Sequence, residues 1–316
     1  MKKHITKGQR YEISVLLQAG HGKSYIAEKL KVHESTIRRE IKNNCDKRSG
    51  EYNPELAQRK SEARMSSRNH FTKMDDAMKE KIYLLLYEGW SPEQIHGRLK
   101  YEGVDIVSHE TIYNHVHADT TGELVKHMPH ELKYKKRTKK HRETKATNIA
   151  NRTSIHNRPK EADGKRFGDW EMDLIVDSFN HAILTLVERS TNMLLMQRLP
   201  QGKKSKPLAK EVSRLLLPYR NTINTMTTDN GAEFADHLTI TKKIGAKVYF
   251  ADPYSSWQKG CIENTNKLIR QYIPKKSNFN DFSDGFIKKV QKKINLRPRE
   301  KLNFSAPKDE FFKHFL

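Results

Sequence analysis

The chain has 316 residues, enough for two or three domains, one of which can bury a complete hydrophobic core. Its 60 lysines and arginines against 38 aspartates and glutamates give a net charge of +22, which favours a polyanionic partner, nucleic acid before a membrane. No apolar run reaches the roughly 18 residues of a membrane span, and no apolar stretch follows the basic start, so we expect a cytoplasmic protein without a signal peptide.

The cysteine and histidine positions do not favour a structural zinc site. Cys45 and Cys261 lie far apart and form no C-x-x-C pair, so we expect free thiols in a reducing compartment. None of the 15 histidines falls in a Cys/His ligand spacing.

The first elements of the chain are three short predicted helices. Apolar residues recur at helical spacing over 6–18 with Thr6 as N-cap, and Ser24 is predicted to cap a second helix. After a turn at 31–33, a third helix runs through 34–41. The open side of this third helix carries Ser35, Arg38, Arg39 and Lys42. The pattern is that of a helix-turn-helix whose arginines reach guanine edges or phosphates, or of a plain bundle whose arginines are solvated.

A second helical pattern follows a polar segment, 46–72, that is predicted to be a linker with room for one helix. Residues 74–87 are amphipathic, Ser91 begins a capping box with Pro92 at the first helical position, and Ser108 caps the next helix. The outer side of that helix carries His109, Glu110, Asn114 and His115. This region is either a second DNA-contacting helix-turn-helix or a packing or dimerisation module.

A basic run spans 133–145 and cannot bury a core. Its candidate DNA-binding residues are Lys135, Lys136, Arg137, Lys139 and Lys140. Such a run is either a solvated linker or a segment that lies along phosphates, where counterion release makes binding salt-sensitive.

The pattern changes to strands at Phe167. Three strands joined by short turns predict an antiparallel meander, and alternating helices and strands then predict a mixed α/β layer. The predicted strands are 170–176, 181–188, 193–199, 223–228 and 247–250, and the predicted helices are 208–217, 235–244 and one that begins near Trp257.

Three carboxylates on separate elements of this layer are candidate metal ligands. Asp173 lies on the first strand, Asp229 at the end of the fourth and Glu263 on the last helix. Phosphodiester chemistry is well served by two divalent ions, and Mg²⁺ prefers carboxylate oxygens. Alternation along the strand does not choose between Glu171 and Asp173, which share a face.

The last helix places Glu263, Lys267 and Arg270 at positions i, i+4 and i+7. This spacing fits a surface ion pair that contributes a few tenths of a kcal/mol. It also fits a catalytic carboxylate beside basic residues that grip the substrate phosphates.

The stretch Thr228-Asp229-Asn230-Gly231-Ala232-Glu233-Phe234 resembles the T-D-N-G-x-E-F signature of retroviral-integrase-like transposases. Further stretches resemble the "IS-thirty" family of bacterial insertion-sequence transposases: 35–41, 90–95, 170–175, 249–257, 263–266, 268–272 and 297–299. The resemblance implies N-terminal helix-turn-helix domains followed by an RNase H-like α/β core. It also implies a D-D-E site of Asp173, Asp229 and Glu263, in preference to Glu171. The chain departs from the family at Asp169, Met172 and Cys261-Ile262, and none of these departures removes a carboxylate of the site.

What the resemblance implies about activity is metal-dependent DNA cleavage and strand transfer with Mg²⁺, with Mn²⁺ able to substitute. Its partners would be double-stranded DNA, as the inverted-repeat ends of an element and as target DNA, bound by a homodimer or larger assembly associated with the nucleoid. The residues expected to support the metal ligands or contact phosphates are Asn230, Asn264, Asn266, Lys267 and Arg270. The expected boundaries are 1–45, 46–72 (linker), 73–128, 129–160 (basic linker) and 161–316 (core).

Two other classes of protein compete with a transposase. A DNA-binding regulator would use the integrase-like half only for assembly and would bind DNA without cutting it. A structural nucleoid protein would need no half built of strands and carboxylates.

Overall fold

The structure is a computed structural model that describes residues 5–46, 48–66, 74–128, 149–253 and 255–316. The chain divides into two compact units, Met1–Lys73 and Met74–Leu316, and each is considered by itself. The predicted basic run at 133–145 lies outside the described residues. Within the described ranges, no helix combines the length and apolar character needed to cross a bilayer.

The first unit is a four-helix domain. Its helices are α1 (Lys7–Gln18), α2 (Lys23–Lys29), α3 (Glu34–Asn44) and α4 (Pro54–Ser66). The Thr6 cap is confirmed, since Thr6 and Gln9 form a reciprocal capping box. The predicted Ser24 cap is wrong: Gly22 takes the extended N-cap conformation, and Ser24 already lies inside the helix. The core contains Ile5, Ile13, Ile26, Ala27, Leu30 and Ile37.

Helix α4 belongs to the packing of this first unit. Arg10 of α1 is 5% exposed, and its guanidinium donates to Glu40 at 2.8 Å and to Gln58 of α4 at 2.6 Å. Lys60 of α4 donates to the carbonyl oxygen of Cys45 at 2.7 Å. The segment predicted as a linker therefore contributes a fourth helix against the other three.

The second unit begins with a helical module. Its helices are α5 (Asp76–Tyr87), α6 (Pro92–Tyr101), α7 (His109–Ala118) and α8 (Glu123–Lys126). The predicted capping box of Ser91 and Gln94 and the Ser108 cap of α7 are confirmed. The module has its own core, which includes Ile82, Leu86, Ile95, Leu99, Ile112 and Val116.

The rest of the second unit is a mixed α/β core, which confirms the predicted fold class. Its strands are β1 (Thr153–Ser154), β2 (Asp169–Val176), β3 (Ala182–Glu188), β4 (Leu194–Leu199), β5 (Thr225–Thr228) and β6 (Lys247–Phe250). They form one sheet in the order β1-β6-β5-β2-β3-β4. The predicted meander β2-β3-β4 is antiparallel, whereas β5 is parallel to β2 and to β6. The short β1, which pairs with β6, lies within the predicted basic linker at 129–160.

Alternation along β2 gives the sheet two packed faces, because successive side chains point to opposite sides. The α-helices that follow β4 are α9 (Ser205–Leu216), α10 (His237–Ile244), α11 (Gly260–Tyr272), α12 (Asp284–Leu296) and α13 (Pro307–Phe312). Trp170 and Met172 belong to the core that includes residues of α9 and α10, and Ile175 belongs to the core that includes residues of α11 and α12. Glu171 and Asp173 therefore lie on the α11 side of the sheet.

The helical module is docked on the C-terminal segment of the core. The ring of Phe304 lies against Gly97 of α6 so closely that an added Cβ would be 2.3 Å from the ring atom Cδ1. Gln94 donates to the carbonyl oxygen of Pro298 at 3.0 Å, and Lys293 forms an ion pair with Glu88 at 2.9 Å. Only a residue without a side chain fits at position 97 in this packing.

Candidate active site

Asp173 lies within β2, and Asp229 directly follows the neighbouring parallel strand β5. The pairing of β2 with β5 aligns Glu171 with Thr227, and the same register two residues further on brings Asp173 beside Asp229. The Asp173 side chain is 20% exposed and that of Asp229 is 46% exposed. The topology thus brings together two carboxylates that are far apart in the sequence.

A buried lysine joins the two carboxylates. Lys259 ends a 3-10 turn, Ser256–Lys259, immediately before α11. Its Nζ lies 3.4 Å from Oδ1 of Asp173 and 3.2 Å from Oδ2 of Asp229. The residue is only 5% exposed. Sequence reasoning missed Lys259, because a lysine next to a glycine in a turn is ordinarily solvated.

The Lys259 ammonium and the Asp173 carboxylate each affect the pKa of the other. Burial alone would lower the pKa of Lys259, but the two carboxylates outweigh it and raise the pKa above its usual value. Burial raises the pKa of Asp173, and the Lys259 ammonium opposes this change. The single positive charge of Lys259 is therefore shared between two carboxylates.

Asn266 of α11 supports Asp173. Its side-chain amide donates to Oδ2 of Asp173 at 2.8 Å, whereas its buried Oδ1 has no hydrogen-bond partner in the described structure. Glu263 lies three residues earlier on the same helix, so both residues project from the same side of α11. The Glu263 carboxylate makes no hydrogen bond or ion pair with the described residues. The part of the chain that the structure describes contains no group of three Asp, Glu, His or Cys side chains placed to hold a metal ion.

The other carboxylates of β2 and its end are engaged elsewhere. Asp169 is held by Arg166 at 2.8 Å and by the Thr225 hydroxyl at 2.6 Å. Asp177 accepts four hydrogen bonds: from the backbone amides of Phe179, His181 and Phe279 and from the His181 ring. Burial would raise the pKa of Asp177, but the Phe279 amide and His181 outweigh it and lower the pKa.

Glu171 ties β2 to the start of α11. Its Oε2 accepts a hydrogen bond from the backbone amide of Ile262 at 2.8 Å, and its Oε1 lies 3.0 Å from Nε of Arg189. The first amides of a helix have no partner within the helix, so this carboxylate acts as a cap supplied by another element. The bond fixes the helix that carries Glu263 next to the strand that carries Asp173.

The remaining residues predicted to support the ligands or contact phosphates are held by the chain itself. The Asn230 amide donates to the carbonyl oxygen of Ala251, and its oxygen accepts a hydrogen bond from Arg152. Lys267, which is exposed, donates to Oδ1 of Asn264 at 3.2 Å. The Arg270 guanidinium donates to the Val176 carbonyl at 3.3 Å and lies over the ring of Phe279.

The predicted DNA-binding residues of α3 lie on its exposed side. These residues are Ser35, Arg38, Arg39 and Lys42. Arg38 donates to Glu34 at 2.7 Å, and this bond lowers the pKa of Glu34. Arg39 has no such acidic partner in the described structure. On α7, Asn114 is exposed, whereas His109 is half-buried with its ring 6.0 Å from that of His96.

The chain is similar to transposases of insertion sequences over nearly its whole length. Residues 2–44 match the family described as a helix-turn-helix domain. The chain is 44% identical to "Transposase for insertion sequence element IS4351" of Bacteroides fragilis, over 98% of this chain and 96% of the relative. It is 34% identical to "Transposase InsI for insertion sequence element IS30A" of Escherichia coli (strain K12), over 97% of this chain and 82% of the relative.

A solved structure also resembles part of the chain. The catalytic core domain of BIV integrase matches with a TM-score of 0.38 and 18% sequence identity, over 47% of this chain and 95% of that domain.

Proposed function

The chain belongs to the family of insertion-sequence transposases, and on this premise we propose that it cuts and joins DNA at the terminal inverted repeats of a mobile element with a divalent metal ion as cofactor. The observation that carries the proposal is the meeting of Asp173 and Asp229 around one cation. Two carboxylates from adjacent parallel strands share the Lys259 ammonium at 3.4 and 3.2 Å. Asp169, Glu171 and Asp177 are each engaged elsewhere, which supports Asp173 as the functional carboxylate of β2.

The residues around this pair suit a hard metal ion. Asp173 and Asp229 offer carboxylate oxygens, and the buried Oδ1 of Asn266 has no partner in the described structure. Mg²⁺ and Mn²⁺ prefer such oxygen ligands, so the donor set fits them. Asp173 and Asp229 would hold the ion, and Glu263, on the side of α11 that carries Asn266, would complete the ligand set. When bound, such an ion stabilises the developing charge on phosphate oxygens and favours the deprotonated nucleophile.

The chain's own residues position the reaction. Asn266 orients Asp173, Glu171 fixes the start of α11, and Lys267 offers an exposed ammonium for a substrate phosphate. The cut exposes a 3′-hydroxyl at the element end. In strand transfer this hydroxyl attacks a target phosphodiester, and the new ester bond forms as the old one breaks. Strand transfer therefore exchanges one phosphodiester for another, whereas the preceding cut adds water to a phosphodiester and leaves the 3′-hydroxyl and a 5′-phosphate.

DNA recognition is assigned to the helical regions. The match to a helix-turn-helix family over residues 2–44 supports α3 as a DNA-reading helix, with Arg38, Arg39 and Lys42 toward the duplex. Both element ends have to be held for joining, so we propose a homodimer or larger assembly on DNA. Which region reads the ends and which the target is an outcome of the binding experiments.

The test is cleavage and strand transfer on a DNA fragment that carries the inverted repeats, with Mg²⁺, Mn²⁺ or no metal. We expect Asp173→Asn, Asp229→Asn and Glu263→Gln each to lower the rate by at least about a hundredfold. Asp281→Asn, which removes an exposed carboxylate elsewhere in the second unit, is the matched control and should leave the rate unchanged.

Two results would contradict the proposal. A folded variant of the three with a near-normal rate would remove that residue from the site. Specific binding of the repeats without metal-dependent cleavage by the wild-type chain would favour the DNA-binding regulator. The isolated position of Glu263 is the structural observation that fits that second candidate.

A further inference from the structure

Lys259 occupies the position that a metal ion would need. Its ammonium contacts Oδ1 of Asp173 and Oδ2 of Asp229, one oxygen of each carboxylate. A divalent ion held by these two carboxylates would lie close to this ammonium, and two cations at a short separation repel each other. Lys259 and the ion therefore compete for the pair.

We propose that Lys259 is an internal counter-cation that holds the carboxylate pair before metal binds, and that a divalent ion displaces it from between Asp173 and Asp229. This inference rests on the proposed function, because it concerns the same site. In the arrangement that the structure shows, the two carboxylates are already close and share one positive charge, and Glu263 is not grouped with them. The carboxylate pair is then assembled before metal binds, whereas the third ligand is not yet in place.

The surroundings of Lys259 explain why it is suited to this role. Without a cation, two carboxylates this close would repel each other and favour separation of β2 and β5 at their ends. The lysine side chain is long and flexible, and it is attached at the junction between the 3-10 turn and α11. The next residue, Gly260, has open space where a Cβ would be, so this side of the junction is not filled by a neighbouring group.

The first test follows the Lys259 amine in the wild-type full-length chain without DNA. Lysines are acetylated briefly with an N-hydroxysuccinimide ester, and the modified fraction of each is measured by peptide mass spectrometry, in EDTA and with increasing Mn²⁺ or Mg²⁺. We expect Lys259 to be protected in EDTA and to become reactive as metal is added, while exposed Lys288 reacts equally throughout. Equal reactivity of Lys259 with and without metal would overturn the inference.

The second test measures Mn²⁺ binding to full-length variants without DNA, from the electron paramagnetic resonance signal of the free ion. Lys259→Met should bind Mn²⁺ at least about tenfold more tightly than the wild type, because the competing charge is gone. Lys288→Met removes one exposed charge from α12 and should match the wild type. Lys259→Arg, which keeps a cation at the pair, should bind Mn²⁺ no more tightly than the wild type.

Equal affinity of Lys259→Met and wild type, or no Mn²⁺ binding by either, would overturn the inference. Neither readout involves DNA cleavage. If the carboxylate variants lose cleavage while Lys259 stays unmoved by metal, the counter-cation role fails and the transposase proposal stands. If metal displaces Lys259 but the repeats are never cut, the counter-cation role stands and the transposase proposal fails.

Discussion

The Glu171 carboxylate accepts a hydrogen bond from the backbone amide of Ile262, over 2.8 Å. This single bond connects the strand that carries Asp173 to the helix that carries Glu263. Glu171, which is buried, also faces the Arg189 guanidinium, whose side chain is 14% exposed.

Loss of Glu171 should therefore destabilise the second unit. Glu171→Leu leaves a largely buried arginine without its carboxylate and an amide uncapped, so we expect the free energy of unfolding to fall by about 3 kcal/mol. Glu171→Gln keeps an acceptor for the Ile262 amide and should cost less. Urea unfolding followed by tryptophan fluorescence measures this, since Trp90, Trp170 and Trp257 all lie in the second unit.

The control for Glu171 is Glu211→Gln, which removes a carboxylate from a surface pair with Arg214. Such pairs contribute up to about 1 kcal/mol. If Glu171→Leu and Glu211→Gln lower the free energy of unfolding by the same amount, the hydrogen bond between β2 and α11 does not stabilise the second unit.

Asp177 should give a pH-dependent contribution to stability. Because its pKa is lowered in the folded chain, its contribution is complete above the unfolded value of about 3.8 and is lost as the pH falls through the folded pKa. Asp177→Asn should lower the free energy of unfolding by about 2–4 kcal/mol at pH 7, with a smaller difference below pH 4. Urea titrations at both pH values measure it, and a difference that did not change with pH would contradict this account.

Gly97 should be intolerant of a single methyl group. Alanine is favoured over glycine inside a helix by about 1 kcal/mol, but here its Cβ would meet the Phe304 ring, and overpacking costs about 1–3 kcal/mol. We expect Gly97→Ala to lower the midpoint of unfolding, whereas Gly285→Ala in α12, with its nearest contact at 3.8 Å, should not. In a Phe304→Ala background the Gly97→Ala penalty should disappear, and its persistence would place the clash elsewhere.

Cys261 should be nearly inert to alkylation. Burial raises the pKa of its thiol from 9.0 to about 12, so the thiolate fraction at pH 8 falls by about a thousandfold. With Cys45 replaced by serine, iodoacetamide should modify Cys261 about a thousandfold more slowly in the folded chain than in urea. Similar rates in both conditions would show that the thiol is ionised in the folded protein.

Arg39 should contribute to DNA binding through the α3 surface. If Arg39 contacts a phosphate, Arg39→Ala should reduce the slope of log K against log salt by about one. Arg38→Ala should have a smaller effect, because Glu34 already holds that guanidinium. Fluorescence anisotropy with a labelled inverted-repeat duplex measures both, with Arg59→Ala on α4 as the exposed control. Unchanged slopes would move DNA recognition away from α3.

Local sequence signals predicted the elements well. The Thr6 N-cap, the Ser91 capping box and the strand over 170–176 depend on neighbouring residues, and the structure confirms each. The Ser24 cap failed because serine and glycine both suit an N-cap, and only the local backbone decides which of them takes it.

Long-range contacts were not predictable in the same way. Lys259 is paired with carboxylates that lie 86 and 30 residues away in the sequence. No local sequence pattern contains such a contact. The same holds for the bond from Ile262 to Glu171 and for the seat of Phe304 on Gly97. Asp173 and Asp229 were predicted as site residues because they lie in stretches that resemble the family. Nothing in the sequence around Lys259 predicted that it would contact both of them.

The packing of Phe304 against Gly97 bears on the spacing between two positions on a bound DNA duplex. This contact packs α6 against the C-terminal segment of the α/β core, and α7 shares the hydrophobic core of the helical module with α6. A duplex that touched both α7 and the Asp173–Asp229 pair would therefore have to present its two contacted positions at a matching spacing. Inserting about five base pairs between these two positions is about half a helical turn, so it would move the groove that α7 contacts to the opposite side of the double helix. Such an insertion would put the cleavage site out of phase even though every base that is read remains intact.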